Sequence, residues 1–317
     1  MVRPSSSDVA PAGVELAVQE RVDLSHLHES AQRLARLPDA QRLRHVRADR
    51  WIGYRRAGAA LERLETLYTW PGKQRMPNLL LIGPTNNGKS MIIEKFRRAH
   101  RPISHPDREQ IPMLAVQMPS EPSVIRFYVA VLAAMGAPLR PRQRLAELEQ
   151  ATLTLLRAVG VRVLIIDELH NVLAGRGEVR REFLNLIRFL GNELRIPLVG
   201  VGTREAYLVI RSDDQLENRF EPFTLPRWEP DEQARSLLAS FAMSFPLRRR
   251  SDIATQDMVR YLLTRSEATI GEITHLLTDA AVAAIESGEE AINQATLRMA
   301  AYAGPTERRR LFERELA

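Results

Sequence analysis

Cysteine is absent from this 317-residue chain. That excludes disulfides and thiolate-ligated metals, and it makes a reducing cytoplasm the expected setting. No stretch approaches the roughly 20 apolar residues of a membrane helix. The opening MVRPSSSDVAPAGVE lacks the apolar core of a secretory signal, so no membrane partner is expected. Lysine is nearly missing: Lys73, Lys89 and Lys95 stand beside 42 arginines. With Ala and Leu abundant, this skew reads as coding bias rather than selection for phosphate contacts. Its value lies in the exceptions, because a lysine that persists against the bias points to chemistry an arginine's planar fork serves poorly. The formal charge of +6, from 45 basic and 39 acidic residues, permits nucleic-acid binding without demanding it.

What is present divides the chain. Residues 1–22 show no periodicity and read as a flexible N-terminus. Residues 23–72 are helical in pattern, broken near Pro38 and Gly53, with Ala60, Leu61, Leu64 and Leu67 on one face. From 73 to 228, apolar runs at Leu79–Ile82, Met113–Gln117, Val161–Ile166, Leu198–Val201 and Phe223–Leu225 alternate with helical segments at 89–99, 122–135, 144–159, 178–194 and 204–211. Such alternation predicts an α/β fold, a parallel sheet covered on both faces. Residues 229–303 read as a smaller all-helical domain, and 304–317 as a charged, loose tail.

GPTNNGKS, Gly83 to Ser90, fits the G-x-x-x-x-G-K-[ST] phosphate loop, with a strand before it and a helix after it. Gly83 and Gly88 let backbone N–H groups curl around a phosphate at a helix N-terminus. Pro84, Thr85, Asn86, Asn87 and Met91 complete the cradle. Lys89 would neutralise the β/γ oxygens of ATP, and Ser90 would hold Mg²⁺ through its hydroxyl. Some 80 residues on, VRVLIIDELHN delivers a carboxylate pair at a strand end: Asp167 to orient the Mg²⁺ shell, Glu168 to orient or deprotonate an attacking water. Alone, such a pair is as readily a solvated cap; coupled to the loop, it favours hydrolysis over phosphoryl transfer. One strand, Met113–Gln117, fits between loop and acidic pair, and Gln117 could reach Glu168. Thr203 either touches the γ-phosphate or water, or caps the helix at 204–211. The basic run KFRRAHR places Lys95, Arg97, Arg98 and Arg101 after the loop helix, either as sequence-independent contacts to double-stranded DNA or as a solvated face.

These residues resemble an AAA+ ATPase, and more narrowly the TniB family of transposition ATPases, related to TnsC. The resemblance rests on WIGY (51–54), RMPNLLLIGPTNNGKS (75–90), IIDELHNVLAG (165–175), IPLVGVGT (196–203) and DQLENRFEPFTLPRW (214–228). It implies an AAA+ three-layer core with a helical lid, in the bacterial cytoplasm. It also implies an ATP-dependent regulator that forms a homo-oligomer, filament or ring, on target DNA and recruits or activates a DDE transposase, with a target-selection protein as a further partner. By the same resemblance, Arg219 matches the arginine that reaches a neighbouring subunit's γ-phosphate, with Arg204 in reserve; the competing reading pairs Arg219 with Glu217 or Glu221. Gly53 and Tyr54 would contribute where this class wraps adenine, unless they simply start a helix. One departure stands out. Where AAA+ lids often carry Gly-x-x-Arg, this chain has Gly271 followed by Thr274, which implies slow hydrolysis. Two alternatives share the core: a helicase loader or replication initiator, and an interaction module that holds ATP as a structural ligand. The first would make 255–286 a DNA-reading helix pair, but ITHLLTDAAVAAIE is too apolar for that and reads better as lid.

Overall fold

The computed structural model describes residues 23–140 and 142–316; the N-terminal stretch 1–22 lies outside them. Three helices open the chain: α1 (Glu29–Ala35), α2 (Asp39–Arg47) and α3 (Arg55–Thr69). After β1 (Asn78–Ile82) come α4 (Lys89–Ala99), the hairpin β2 (Ile103–Ser104) and β3 (Glu109–Gln110), then β4 (Met113–Gln117), α5 (Val124–Ala134) and α6 (Leu145–Ala158). The remaining core elements are β5 (Val163–Asp167), α7 (Gly177–Leu194), β6 (Leu198–Gly202), α8 (Arg204–Arg211), the short α9 (Asp214–Glu217) and β7 (Phe220–Thr224). The chain then turns all-helical: α10 (Glu232–Ser244), α11 (Gln256–Arg265), α12 (Ile270–Glu286), α13 (Gln294–Met299) and α14 (Pro305–Glu315).

The five long strands pair in parallel in the order β4-β5-β6-β1-β7. Their apolar runs are continuous because both faces are covered. Leu79, Leu81, Val163, Ile165, Val199 and Val201 pack against α3 and α4. Leu80, Ile82, Leu114, Val116, Leu164 and Ile166 pack the other way, against α5 to α8. This two-residue alternation builds the three layers.

The strand lying between the phosphate-loop strand and the acidic strand is β6, not β4. Met113–Gln117 precedes the acidic pair in sequence but sits at the sheet's edge. The last strand also starts earlier than its apolar run, at Phe220 rather than Phe223. Glu221 and Pro222 hide it, and Pro222 is tolerated because β7 pairs on one side only.

α1 and α2 dock on the C-terminal helices: Val46 joins the core of Leu237, Phe241, Leu276 and Leu277. In the 255–286 segment, α11 and α12 meet at 107°, and α12 buries Ile273, Leu276, Leu277, Ala280 and Ala284. Those side chains fill a core and are unavailable to a DNA groove. The charged tail, expected as a loose end, is the helix α14, tied down where Arg308 donates to Glu272 (2.7 Å) and Thr306 N to Glu267 (2.7 Å). Among the described residues no single helix is long and apolar enough to cross a membrane.

Candidate nucleotide site

At the C-terminal edge of β1, Gly83 N–H donates to the Gly202 carbonyl (3.1 Å) and the chain lifts off the sheet. Asn86 and Gly88 then take left-handed backbone angles, φ 59° and 85°, which bend the loop back to start α4. At Gly88 a side chain would also meet Ile270 Cγ2 at 3.1 Å and the Tyr54 hydroxyl at 3.4 Å. Lys89 is buried, and its Nζ donates to the loop's own carbonyls, Gly83 O (2.9 Å) and Pro84 O (2.7 Å). Burial lowers its pKa, against the pull of Glu168 and Asp167. A buried ammonium held by two carbonyls is a charge that an anion at this loop would satisfy. The loop therefore fits a nucleotide's phosphates.

The carboxylates arrive on β5, across β6. Asp167 is half-buried and its Oδ1 accepts from Glu168 N (2.8 Å). Burial raises its pKa, opposed by that hydrogen bond. With the exposed Ser90 hydroxyl it supplies the hard oxygen donors Mg²⁺ prefers. Glu168 carries φ 55° and ψ 35°, a left-handed conformation that costs a non-glycine residue about 1 kcal/mol. That strained turn ends the strand and begins the 3-10 segment Leu169–Ala174. Its Oε2 lies 3.2 Å from His170 Nε2, so its partner is His170, not Gln117, which instead stands opposite Asp167 in the sheet register.

A cleft of about 630 Å³ opens over the loop, lined by Thr85 to Met91, Glu168 and Thr203. Thr203 Oγ1 bonds the Glu205 carboxylate and makes no side-chain cap for α8. The WIGY motif points to Gly53 and Tyr54, but the wall is lined by Arg47 to Ile52 and Tyr54, without Gly53. Tyr54 packs edge-on against Trp228, ring centroids 5.0 Å apart, and burial pushes its hydroxyl pKa up to about 12. Trp51 and Ile52, the apolar half of the motif, were the sequence signal for this wall.

The lid closes the cleft with Ile270, Gly271, Thr274 and Thr278. It grips the loop directly. Gly271 N–H donates to Asn86 O (3.0 Å), Ile270 N–H donates to Asn87 Oδ1 (3.3 Å), and Asn86 Nδ2 donates to Glu272 Oε1 (3.1 Å), while Asn87 Nδ2 reaches the carbonyls of Leu225 and Pro226 just after β7 (2.9 Å each). A Cβ on Gly271 would fall 1.8 Å from Asn86 Oδ1. Thr274 turns its hydroxyl back onto Ile270 O (2.8 Å), so the lid residues lining the cleft include no cation.

Glu272 also accepts from Tyr302 (2.9 Å) and Arg308 (2.7 Å). Burial works to raise its pKa, but bonds from Arg308, Tyr302 and Asn86 outweigh it and set the carboxyl below its ordinary 4.5. A depressed carboxyl pKa contributes stability above the ordinary range and loses it as pH falls through the folded value. Glu272→Gln is expected to cost about 2 kcal/mol at neutral pH. Thermal unfolding across the acid range should show a shallower pH dependence in the variant than in the parent.

Arg219 and Arg204 occupy opposite ends of the sheet. Arg204 opens α8 at the loop's own edge. Arg219 precedes β7, so five residues of strand, about 16 Å, separate it from that edge. Its Nη1 donates to Asn192 Oδ1 (2.9 Å); Glu217 and Glu221 are engaged by Arg211 (3.8 Å) and by Arg63. Of the basic run, Arg97 and Arg98 both clamp Glu94 at 2.6 Å, Lys95 lies over the Trp51 ring at 5.8 Å, and Arg101 is exposed. Half of that patch is thus compensated on its own helix.

Three solved structures share this architecture at low identity, a likeness of fold alone. Aeropyrum pernix ORC2, in ADPNP–ADP complexes, is 15% identical over 81% of this chain and 71% of that one, with a TM-score of 0.54. Aeropyrum pernix ORC1 in complex with DNA is 15% identical over 81% and 68%, at 0.56. Cdc6p from Pyrobaculum aerophilum is 16% identical over 81% and 68%, at 0.53. Comparison with curated proteins gives no match. The family model described as bacterial TniB protein matches residues 42–230, more than half of the chain and inclusive of the loop, the acidic pair and Arg219. The chain belongs to the TniB family and has the AAA+ fold of the Orc/Cdc6 proteins.

Proposed function

We propose that this protein hydrolyses ATP in a site shared between copies, and that the ATP-bound form assembles on double-stranded DNA to recruit or activate a DDE transposase. The observation that carries the reading is the division of charge. The chain gathers the phosphate loop, Ser90, Asp167 and Glu168 at one sheet edge, while Arg219 stands at the other. Lys89 is the cation of the loop itself, and no basic side chain from the lid joins it. Arg47 and Arg50 line the cleft from the chain's N-terminal helical segment, but Arg219 can reach a γ-phosphate only on a second copy.

In the reaction, Glu168 orients a water and takes its proton as the oxygen attacks the γ-phosphorus. The bond to the ADP oxygen breaks, and Lys89 with the loop N–H groups holds the negative charge that passes to ADP. Mg²⁺, held by Ser90 and oriented by Asp167, would neutralise the β/γ oxygens. Thr203 stands at the cleft wall beside Glu168, where it can position the water once it leaves Glu205. The missing lid arginine fits a slow turnover that assembly and DNA accelerate. DNA as the assembly platform follows from the family, with Lys95 and Arg101 as the freer members of the loop-helix patch; DNA also accompanies the ORC1 structure of similar fold.

Mixing inactive variants tests the shared site. Lys89→Ala loses nucleotide and Arg219→Ala loses the arginine, so each alone should turn over at least 10³-fold more slowly. Together, phosphate release should recover towards a quarter to a half of the parent's. No recovery at any ratio, with Arg219→Ala active alone, would sink the proposal.

A further inference from the structure

Two of the three lysines are accounted for in the loop and its helix. The third, Lys73, lines a different cleft, of about 640 Å³, at the opposite sheet edge. Arg75 and Arg219 line it with Trp70, Gln215 and Asn218, and none of its lining residues is acidic. Three carboxylates nearby in sequence are engaged elsewhere, Asp213 by Arg188 (3.3 Å), Glu217 by Arg211 (3.8 Å) and Glu221 by Arg63, and the exposed Asp214 is not part of the lining. Lys73 Nζ lies over the Trp70 ring at 5.3 Å, and the indole Nε1 of Trp70 has no acceptor among the described residues.

The walls are fixed to the sheet. Asn78 N–H donates to the Arg219 carbonyl (3.0 Å), which ties the loop ahead of β1 to the entry of β7. Lys73 N contacts Sδ of the buried Met76 (3.3 Å), which folds the 73–76 turn onto the same support. Three cations on one concave surface, with no carboxylate among its lining residues, are suited to a compact polyanion. A duplex would call for a track of cations along a length of surface rather than this pocket.

We propose that this cleft is the trans-acting half of the ATPase site. Lys73 and Arg75 join Arg219 in holding the terminal phosphates of ATP bound by the adjacent copy. This rests on the reading that Arg219 acts on a neighbour, and it adds two residues to that role. Lys73 suits the task as a compact ammonium, and Arg75 as a second fork, while Trp70 holds the lysine stem in place.

The test uses full-length Lys73→Ala/Arg75→Ala beside Arg219→Ala. At dilution, where copies are apart, both should bind a fluorescent ATP analogue like the parent, because their own loops are intact. When assembled, the double variant should release phosphate at least tenfold more slowly. Adding Lys89→Ala protein, which lacks nucleotide but keeps the cations, should restore part of that loss. Parent-like turnover in the double variant, with Arg219→Ala impaired, overturns this proposal and leaves the shared site standing. Normal turnover in Arg219→Ala removes both. Weaker DNA binding with unchanged turnover would assign the cleft to the duplex and overturn the proposal as well.

Discussion

Glu168→Gln is expected to lower ATP turnover by about 10²–10⁴-fold, the usual worth of a positioned general base, while ATP affinity stays within a few-fold. The amide keeps the size of the carboxylate and can still accept from His170, 3.2 Å away. It cannot take a proton from water. The backbone supports this assignment independently of the side chain. A non-glycine residue held at φ 55° immediately after a buried strand is strained, and strain of this kind persists where the surrounding structure imposes it, often at reaction sites. Phosphate release and nucleotide titration on the same preparation separate chemistry from binding. Parent-like turnover would favour the alternative of an interaction module that holds ATP structurally. If the base reading holds, the variant should also lengthen the life of ATP-dependent assemblies on DNA, because the step that ends them is slowed.

The features legible in the sequence are those built from neighbours in the chain. The phosphate loop needs a strand, a bend and a helix within a few residues, and GPTNNGKS specifies all three. The helices at 89–99 and 204–211 have the bounds their patterns indicate, because α4 begins at the loop's own Lys89 and α8 directly after the β6 turn. The acidic pair was readable because a buried apolar run has few ways to end in two carboxylates. Sheet membership was legible from continuous apolar runs; sheet order was not, since strand neighbours are chosen by packing across the whole domain. Hence β6 rather than β4 lies between loop and acid.

The lid's grip was hidden for a related reason. Asn86 meets Glu272 across 186 residues, and Asn87 meets Ile270 across 183. Nothing in either local pattern marks these asparagines as lid contacts. The charge at Glu94 was visible in sequence, but its double engagement by Arg97 and Arg98 emerges only when both arginines turn onto it. The basic run therefore looked freer than it is. At Arg219 the residue type was legible and its partner was not: Asn192, on α7, had no reason to be singled out.

Arg42→Ala is expected to destabilise the lid end of the molecule by about 3–5 kcal/mol, the usual effect of removing one partner of a buried ion pair. Arg42 is fully buried on α2, and its guanidinium is shared among several oxygens. It donates to Glu290 Oε1 (2.8 Å) and Oε2, to Asp39 (2.8 Å), and twice to the Pro246 carbonyl (3.1 and 2.9 Å). Glu290 is itself 9% exposed. After the substitution its carboxylate would keep the Arg248 backbone N–H (3.0 Å) and a long contact to the Arg248 side chain (3.5 Å), too little for a buried charge. The same change unties α2 from the lid, and α2 leads straight into the Asp49–Ile52 wall of the nucleotide cleft. Thermal unfolding should therefore fall on the order of 10 °C, with weaker ATP binding alongside. Arg42→Lys should recover only part, because one ammonium cannot serve a bidentate carboxylate and the carbonyl together. Arg42→Met with Glu290→Met should be less harmful than Arg42→Ala, since no unpaired charge remains. A double variant as unstable as the single would show that the loss comes from packing around α2 rather than from the stranded carboxylate.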